Sequence, residues 1–157
     1  METTWQKLGN STGLLILRLG IGAYMLTHGW GKLQMLLSGA EFGDPIGLGG
    51  KVSLILIVFA EFVCAILIMA GFFTRLAAIP IIIGMAVAAF VAHGSDPWTA
   101  EEGYRVFIET KGGMPKSKEP ALLFLFSFLA LFFTGPGMFS IDGLVWKRWR
   151  KNTPPPH

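Results

Sequence analysis

Four long apolar stretches dominate this sequence of 157 residues and limit the folds that are open to it. They cover about residues 13–37, 52–71, 75–92 and 121–134. Hydrophobic residues make up 52% of the chain and charged residues only 15%, which is not typical of a soluble domain. At about 1.5 Å per residue, the first three stretches can cross a hydrocarbon layer of roughly 30 Å as helices, whereas the fourth is short.

The backbone of a membrane span must satisfy its own hydrogen bonds, because lipid offers no partners. The apolar stretches lack the two-residue alternation of barrel strands, which favours helices. We therefore expect an all-α fold, an integral membrane four-helix bundle that forms a single domain over residues 1–157. Small residues at four-residue spacing, as at Ala23, Thr27 and Gly31, are expected to let the helices approach closely.

Four spans place both termini on the same side of the membrane. The tail, residues 143–157, follows an apolar segment and carries four bases: Lys147, Arg148, Arg150 and Lys151. Bases close to a helix end favour the cytoplasmic side, so both termini are expected there. The same placement indicates lipid headgroups as their partner and argues against nucleic acid, despite a net charge of +3.

The connection over residues 93–120 is longer than a small helical bundle needs. It contains Trp98, Tyr104 and Phe107 among charges of both signs. Two interpretations stay open. The loop folds over the outer mouth of the bundle or binds a partner, or it is solvated with its aromatic rings at the headgroups.

Ionisable side chains interrupt the apolar stretches at related depths. His28 and Glu61 each lie nine residues inside the outer ends of the first and second stretches, roughly 13 Å deep. Lys32 follows His28 by four residues and shares its helical face. Since His93 and Glu119 stand at the outer ends of the third and fourth helices, all four helices contribute to the outer half.

Charged groups that face lipid are costly, so this polar set predicts a ligand-binding pocket that opens outward. The candidate residues are Arg18, His28, Lys32, Glu61, His93 and Glu119. Other interpretations remain for each. Arg18 lies nearer the inner end and can form a separate contact there, and Arg18 and Lys32 can snorkel to the interfaces. Glu61 can form a purely structural ion pair, and the residues at the boundaries can simply be solvated.

Metal or haem binding is a weaker interpretation of the same residues. His28, Glu61 and His93 contain the residue types of a two-histidine, one-carboxylate site, and the two histidines those of a haem site. The shallower depth of His93 argues against both, and we assign no metal ligand and no catalytic residue. The single cysteine, Cys64, excludes an intrachain disulfide or dithiol pair, so electron transfer would need a cofactor, a substrate or a partner.

Three parts of the sequence resemble a known family. The run RLGIG at 18–22, followed by His28-Gly29 and Lys32-Leu33, resembles the first helix of the DoxX family of small four-helix membrane proteins. Glu61 ahead of GFFTRLAA at 71–78 is similar to the family's second-to-third helix junction. Glu119, with Gly135-Pro136-Gly137 and FSID at 139–142, is similar to its closing pattern. The match covers about residues 12–145 in the same order.

The resemblance implies a protein of the bacterial inner (plasma) membrane with a link to redox processes. Members of the family are similar to the small subunit of a thiosulfate to quinone oxidoreductase, and others are described as partners of oxidative-stress and sulfur-transfer enzymes. The leading hypothesis is thus an oxidoreductase subunit or accessory whose outer pocket binds a quinone or a small sulfur oxyanion. Lys32 and His28 would hold the ligand, while Glu61 and His93 would relay protons.

Two other classes of function remain. The first is a non-catalytic scaffold, in which buried charges lock the helices together and the long loop recruits a redox protein or another partner. The second is a small transporter, which would need a homo-oligomer because four spans alone do not line a path. The resemblance supports the fold more strongly than any of these functions.

Overall fold

The computed structural model describes residues 3–110 and 113–152, and every regular element within them is helical. The helices are α1 (Thr4–Ser38), α2 (Gly50–Ala70), α3 (Thr74–Ala92), α4 (Ala100–Thr110), α5 (Glu119–Thr134) and α6 (Ile141–Asn152). Helices α1, α2, α3 and α5 form the bundle, and the expected all-α membrane four-helix bundle is confirmed. Part of the predicted long loop (111–112) and the end of the predicted tail (153–157) lie outside the described residues.

The bundle has two unlike ends. The loop end carries residues 39–49 and residues 93–118. We call residues 93–118 the cap. The tail end carries the first turns of α1, the α2–α3 turn at 71–73 and α6. Helix α1 packs on α2, α2 on α3 and α3 on α5, while α1 and α5 touch more lightly.

Helix α1 begins nine residues before the apolar stretch because its N-terminus is capped. The Thr3 hydroxyl accepts the Gln6 N–H at 3.2 Å, and the Gln6 side chain accepts the Thr3 N–H at 2.8 Å. This reciprocal capping box satisfies two N–H groups that a helix start otherwise leaves free. The polar first turns therefore continue the membrane helix.

The inward face of α1 differs from the expected one. Ala23, Thr27 and Gly31 are exposed, so the prediction that this stripe packs against another helix is wrong. The buried stripe lies beside it, at Ser11, Arg18, Gly22, Met25 and Gly29. Both stripes have helical spacing, and the sequence does not say which one meets α2.

Large apolar side chains cover the outside of the bundle. Helices α2 and α3 are each long and apolar enough to cross a membrane, and α5 is a shorter apolar helix. Only 44% and 28% of the most apolar windows of α2 and α3 are buried inside the protein, unlike the core helix of a soluble protein. The exposed remainder includes Ile55, Leu56, Phe59, Val63, Ile66, Leu76, Ile79 and Ile83. Such a continuous apolar surface suits contact with lipid.

Two helices contain a π-helical turn, α2 in its middle and α3 at its loop end. Residues Phe59–Cys64 form one in α2, and residues Ala88–Ala92 form one in α3. In the second, the His93 N–H donates to the Ala88 carbonyl five residues back, at 2.8 Å. Such a turn changes the direction of the side chains that follow it and frequently occurs at functional sites. Glu61 lies within the first turn, and His93 follows the second.

The cap is more ordered than the predicted loop, because it contains α4. The Thr99 hydroxyl accepts the Glu102 N–H at 3.2 Å, and Glu101 and Glu102 stand in the first turn, where negative charge favours a helix. Gly103 packs against the Lys116 backbone, where a Cβ would collide. This contact folds the two halves of the cap onto each other.

Candidate functional site

A cavity of about 400 Å³ lies between the bundle helices and the cap. All four bundle helices and the cap line it, and its volume falls within the range of small-molecule sites, about 300–1,000 Å³. The lining includes His28, Lys32, Glu61, His93, Lys116 and Phe124. The cavity is the best candidate for a functional site in the part of the chain that the structure describes.

Lys32 and Glu61 form an ion pair on the wall of the cavity. The Lys32 ammonium donates to the Glu61 carboxylate, and the side chains are 24% and 2% exposed. The pair joins α1 to α2, which compensates a carboxylate that would otherwise be buried alone. Lys32 nevertheless keeps part of its surface open to the cavity.

A glycine sets the spacing of the two helices beside this pair. At Gly29, three residues before Lys32, a Cβ would lie 2.6 Å from the carbonyl carbon and oxygen of Glu61. No side chain fits there, so the backbone of α1 rests directly on the π-helical turn of α2. This contact brings Lys32 within reach of Glu61.

The two histidines approach the cavity from different helices. The His28 ring on α1 packs edge-on against Phe124 of α5, with ring centroids 5.7 Å apart. His93 follows α3, and its Nδ1 lies 2.7 Å from the Asp96 carboxylate. A carboxylate beside Nδ1 favours the proton there and leaves Nε2 as an acceptor.

Glu119 does not line the cavity; it holds the cap. Its carboxylate accepts the Ala100 N–H at 2.7 Å, at the start of α4. The next residue back, the buried Lys118, places its ammonium 4.6 Å from the centre of the Trp98 ring. The backbone N–H of Lys118 donates to the Pro97 carbonyl at 2.9 Å. These contacts close the cap at its two ends.

Arg18 lies at the tail end, away from the cavity. It is 3% exposed, and its guanidinium donates to the carbonyl of Pro136 at 3.1 Å and to that of Phe139. It thus ties α1 to the segment between α5 and α6 and does not snorkel. Of the six predicted residues, the structure brings His28, Lys32, Glu61 and His93 together and separates the other two.

The sequence alone did not single out several lining residues. Met25, Met85 and Phe124 form apolar walls, and Pro115 and Lys116 reach the cavity from the cap. Met25 lies three residues before His28 on the same helical face, which was a usable signal. The cap residues carried none, because their position depends on the path of an irregular segment.

The lining suits a ligand with a polar group on an apolar body. Glu61 offsets the charge of Lys32, and Lys116 adds another positive charge, so the lining favours an anionic or carbonyl oxygen. No group of three or more His, Cys, Asp or Glu side chains that could hold a metal occurs among the described residues, so His28, Glu61 and His93 do not form one.

The comparison with protein families decides the classification. The DoxX family model matches residues 13–94, which is more than half of the chain. The chain belongs to the DoxX family. The matched region of this DoxX protein contains α1 from residue 13 onward, all of α2 and α3, and four of the cavity-lining residues: His28, Lys32, Glu61 and His93.

Relatives extend the similarity over most of the DoxX chain. Inner membrane protein YqjF of Escherichia coli (strain K12) is 29% identical over 137 residues, which cover 87% of this chain and 95% of that protein. An uncharacterized protein of Haemophilus influenzae (strain ATCC 51907 / DSM 11121 / KW20 / Rd) is 31% identical over 140 residues, or 86% and 92%. No solved structure gives a significant match. This DoxX protein is a membrane protein in contact with lipid.

Proposed function

We propose that this DoxX protein is a membrane subunit or accessory of a redox system in the bacterial inner membrane. Its cavity would bind a quinone or a small sulfur oxyanion. The observation that supports the proposal is the meeting of His28 and Lys32 of α1, Glu61 of α2 and His93 at the end of α3 in one cavity of about 400 Å³. A set of purely structural charges would not require a cavity beside it.

The residues divide into two roles. The Lys32 ammonium and the His28 ring would bind a quinone carbonyl or an oxyanion, because both can donate hydrogen bonds. Glu61 and His93 would hold and pass on protons, and Asp96 orients the His93 ring for this task. A bound quinone would accept electrons from a donor outside this chain, which has one cysteine and no dithiol pair.

The proposed orientation places the loop end outside the cell and both termini in the cytoplasm. The basic residues of the tail support it, since bases near a helix end are enriched on the cytoplasmic side. The name of YqjF places that relative in the inner membrane, which supports the same membrane for this chain. The cap and the cavity would then face the periplasm.

Direct binding measurements test the proposal. The purified protein in nanodiscs is titrated separately with a short-chain ubiquinone, a short-chain menaquinone and thiosulfate. Calorimetry and intrinsic fluorescence measure binding in each titration. We expect one of these probes to bind and the variants His28→Ala and Glu61→Gln each to weaken it about tenfold, the effect of losing one good hydrogen bond.

Glu109→Gln is the matched control, since it removes an exposed carboxylate of the cap that does not line the cavity. It should bind the probe like the parent protein. Thermal unfolding of each variant separates lost binding from lost structure. Failure of all three probes, or unchanged binding by a folded His28→Ala/Glu61→Gln double variant, would refute the proposal.

One observation favours the alternative of a non-catalytic scaffold. Lys32 and Glu61 already satisfy each other, and Arg18 already bonds two carbonyl groups, so these charges have structural roles without any ligand. The scaffold predicts that Glu61→Gln lowers stability and has no effect on probe binding. The cap, with its exposed Trp98 and Tyr104, would then be the surface that recruits a partner.

A further inference from the structure

Helix α6 is fixed to the tail end of the bundle through its first turn. The Asp142 N–H donates to the Gly71 carbonyl at 2.9 Å. The Asp142 carboxylate accepts the N–H groups of Phe73 at 2.8 Å and Thr74 at 3.0 Å, at the start of α3. Because α2 and α3 meet at this turn, α6 begins at the boundary where the membrane-spanning helices end.

The first turns of α6 present an exposed apolar face. Ile141, Leu144 and Val145 are spaced so that they share one side of the helix, and they are 42%, 66% and 60% exposed. Isolated exposed apolar residues are ordinary, but three on one face of a helix that starts at the membrane boundary form a surface suited to lipid.

Positive charge follows this apolar face directly. Lys147 and Arg148 are exposed, and the sequence continues with Arg150 and Lys151, which gives four bases in five positions. The acid of this helix, Asp142, already accepts two N–H groups of the α2–α3 turn. Apolar residues at the membrane boundary, followed at once by a dense group of bases, are the pattern of a juxtamembrane segment that binds anionic lipid.

We propose that α6 is an interfacial helix that binds anionic phospholipids at the tail end of the bundle. Ile141, Leu144 and Val145 enter the boundary between headgroups and acyl chains, and the positive charge of the segment that follows attracts the lipid phosphates. The anchoring of Asp142 on α3 holds the helix at this depth. This role is independent of any ligand in the cavity at the loop end.

Site-directed spin labelling of the full chain tests the depth of α6. In a Cys64→Ser background, single labels are placed by Val145→Cys on the apolar face and by Lys147→Cys on the basic segment. The protein is studied in nanodiscs of phosphatidylcholine alone or with about a quarter phosphatidylglycerol, a typical anionic mixture. Collision with oxygen reports lipid, and collision with a water-soluble nickel complex reports water.

With the anionic lipid, the label at 145 should favour oxygen by severalfold and the label at 147 should favour nickel. The contrast should shrink in phosphatidylcholine alone and in an Arg148→Gln/Lys151→Gln variant. It should persist in the matched control Lys51→Gln/Arg105→Gln, which removes two bases from the loop end. This set of results, with a contrast that needs both anionic lipid and the tail bases, would support the proposal.

Three results would overturn it. The first is equal nickel access at 145 and 147 with anionic lipid, which would place the helix in water. The second is a contrast that depends neither on lipid charge nor on the tail bases. In the third, both labels become protected only when duplex DNA is added, which would assign the bases to nucleic acid.

Discussion

Gly29 is the residue whose size matters most to the pair in the cavity wall. A methyl group there would lie 2.6 Å from the Glu61 backbone, and a backbone in a packed helix cannot move aside as a flexible side chain can. We expect Gly29→Ala to lower the free energy of unfolding by about 2 kcal/mol, as overpacking usually does. Equilibrium unfolding in mixed detergent micelles measures the change.

Gly31 supplies the control on the same helix. It is exposed, and nothing lies within 4 Å of the position of its Cβ. Gly31→Ala should keep or raise the stability by up to about 1 kcal/mol, since alanine favours a helix over glycine. If both variants lose stability equally, the close approach of α1 and α2 is not the cause.

The Lys32–Glu61 pair should behave as a unit. Lys32→Met leaves the buried Glu61 carboxylate without its cation, and we expect a loss of about 2 kcal/mol, below the full cost of breaking a buried pair because the cavity admits water. Glu61→Gln should cost a similar amount. The double variant should lose less unfolding free energy than the two single variants lose together, and the difference should be about 1–3 kcal/mol.

A double-mutant cycle, measured by unfolding of the four proteins in the same detergent, gives this coupling energy. A control cycle of Lys51→Met with Glu109→Gln uses two exposed residues of the loop end and should show no coupling. Additive losses at Lys32 and Glu61 would mean that the two side chains stabilise the protein separately.

Local spacing made part of the cavity visible in the sequence. His28 and Lys32 share a face because they are four residues apart, and Glu61 lies at a matching depth on α2. The role of Gly29 was not visible, because Gly20, Gly22, Gly29 and Gly31 all occur on α1 and only the packing selects among them. Glu119 is ionisable and lies at the same boundary as His93, so the sequence grouped it with the site residues. Its carboxylate instead accepts a hydrogen bond from the cap.

At the scale of elements, the apolar stretches predicted the bundle helices, while polar signals decided where they begin. The pattern Thr-x-x-Gln at Thr3 and Gln6 was present in the sequence and explains the early start of α1. Helix α4 also left a signal: Tyr104, Phe107 and Ile108 recur at helical spacing. No sequence signal marked the π-helical turns.

The loop before α2 carries the clearest pH-dependent element. The Asp44 carboxylate accepts hydrogen bonds from the Ser53 hydroxyl at 2.7 Å and from the N–H groups of Gly49 at 2.8 Å and Leu48 at 3.1 Å. The Ser53 bond is the largest cause that lowers the pKa of Asp44, followed by the Gly49 bond. The charged form thus stabilises the loop.

Since this pKa is lower in the folded state, its contribution is complete above about pH 4 and is lost as the pH falls through the folded-state value. We expect the amides of Leu48 and Gly49 to lose protection from hydrogen exchange below about pH 4, after correction for intrinsic rates. Asp44→Asn should show reduced protection already at pH 7, and Glu41→Gln should not. Constant protection from pH 7 to 3 would contradict this assignment.

At the scale of the whole molecule, four membrane crossings predict that the start of α1 and the helix α6 lie on one side of the membrane. The cap then lies on the other side. In a Cys64→Ser background, Lys7→Cys and Ser95→Cys place single thiols at the two ends. In intact cells, a membrane-impermeant maleimide should label Ser95→Cys, and Lys7→Cys should react only after lysis. Equal labelling of both before lysis would refute the topology.

The membrane bundle was predictable because lipid leaves helices as one of few choices for an apolar chain. The packing order was not, since the inward stripe of α1 and the path of the cap depend on contacts between distant residues. The tail end shows this most clearly. Two of the family-like segments, GFFTRLAA at 71–78 and FSID at 139–142, meet through Asp142 and the N–H groups of Phe73 and Thr74.

The length of α1 has a practical consequence for imaging. Its 35 residues extend about 52 Å, far more than the roughly 30 Å of hydrocarbon, and the capped first turns continue the helix without a break. A soluble marker protein joined in helical phase at Thr4 would inherit a fixed orientation relative to the bundle. Such a rigid fusion gives a small, nearly featureless particle the asymmetric mass that electron cryomicroscopy needs for alignment.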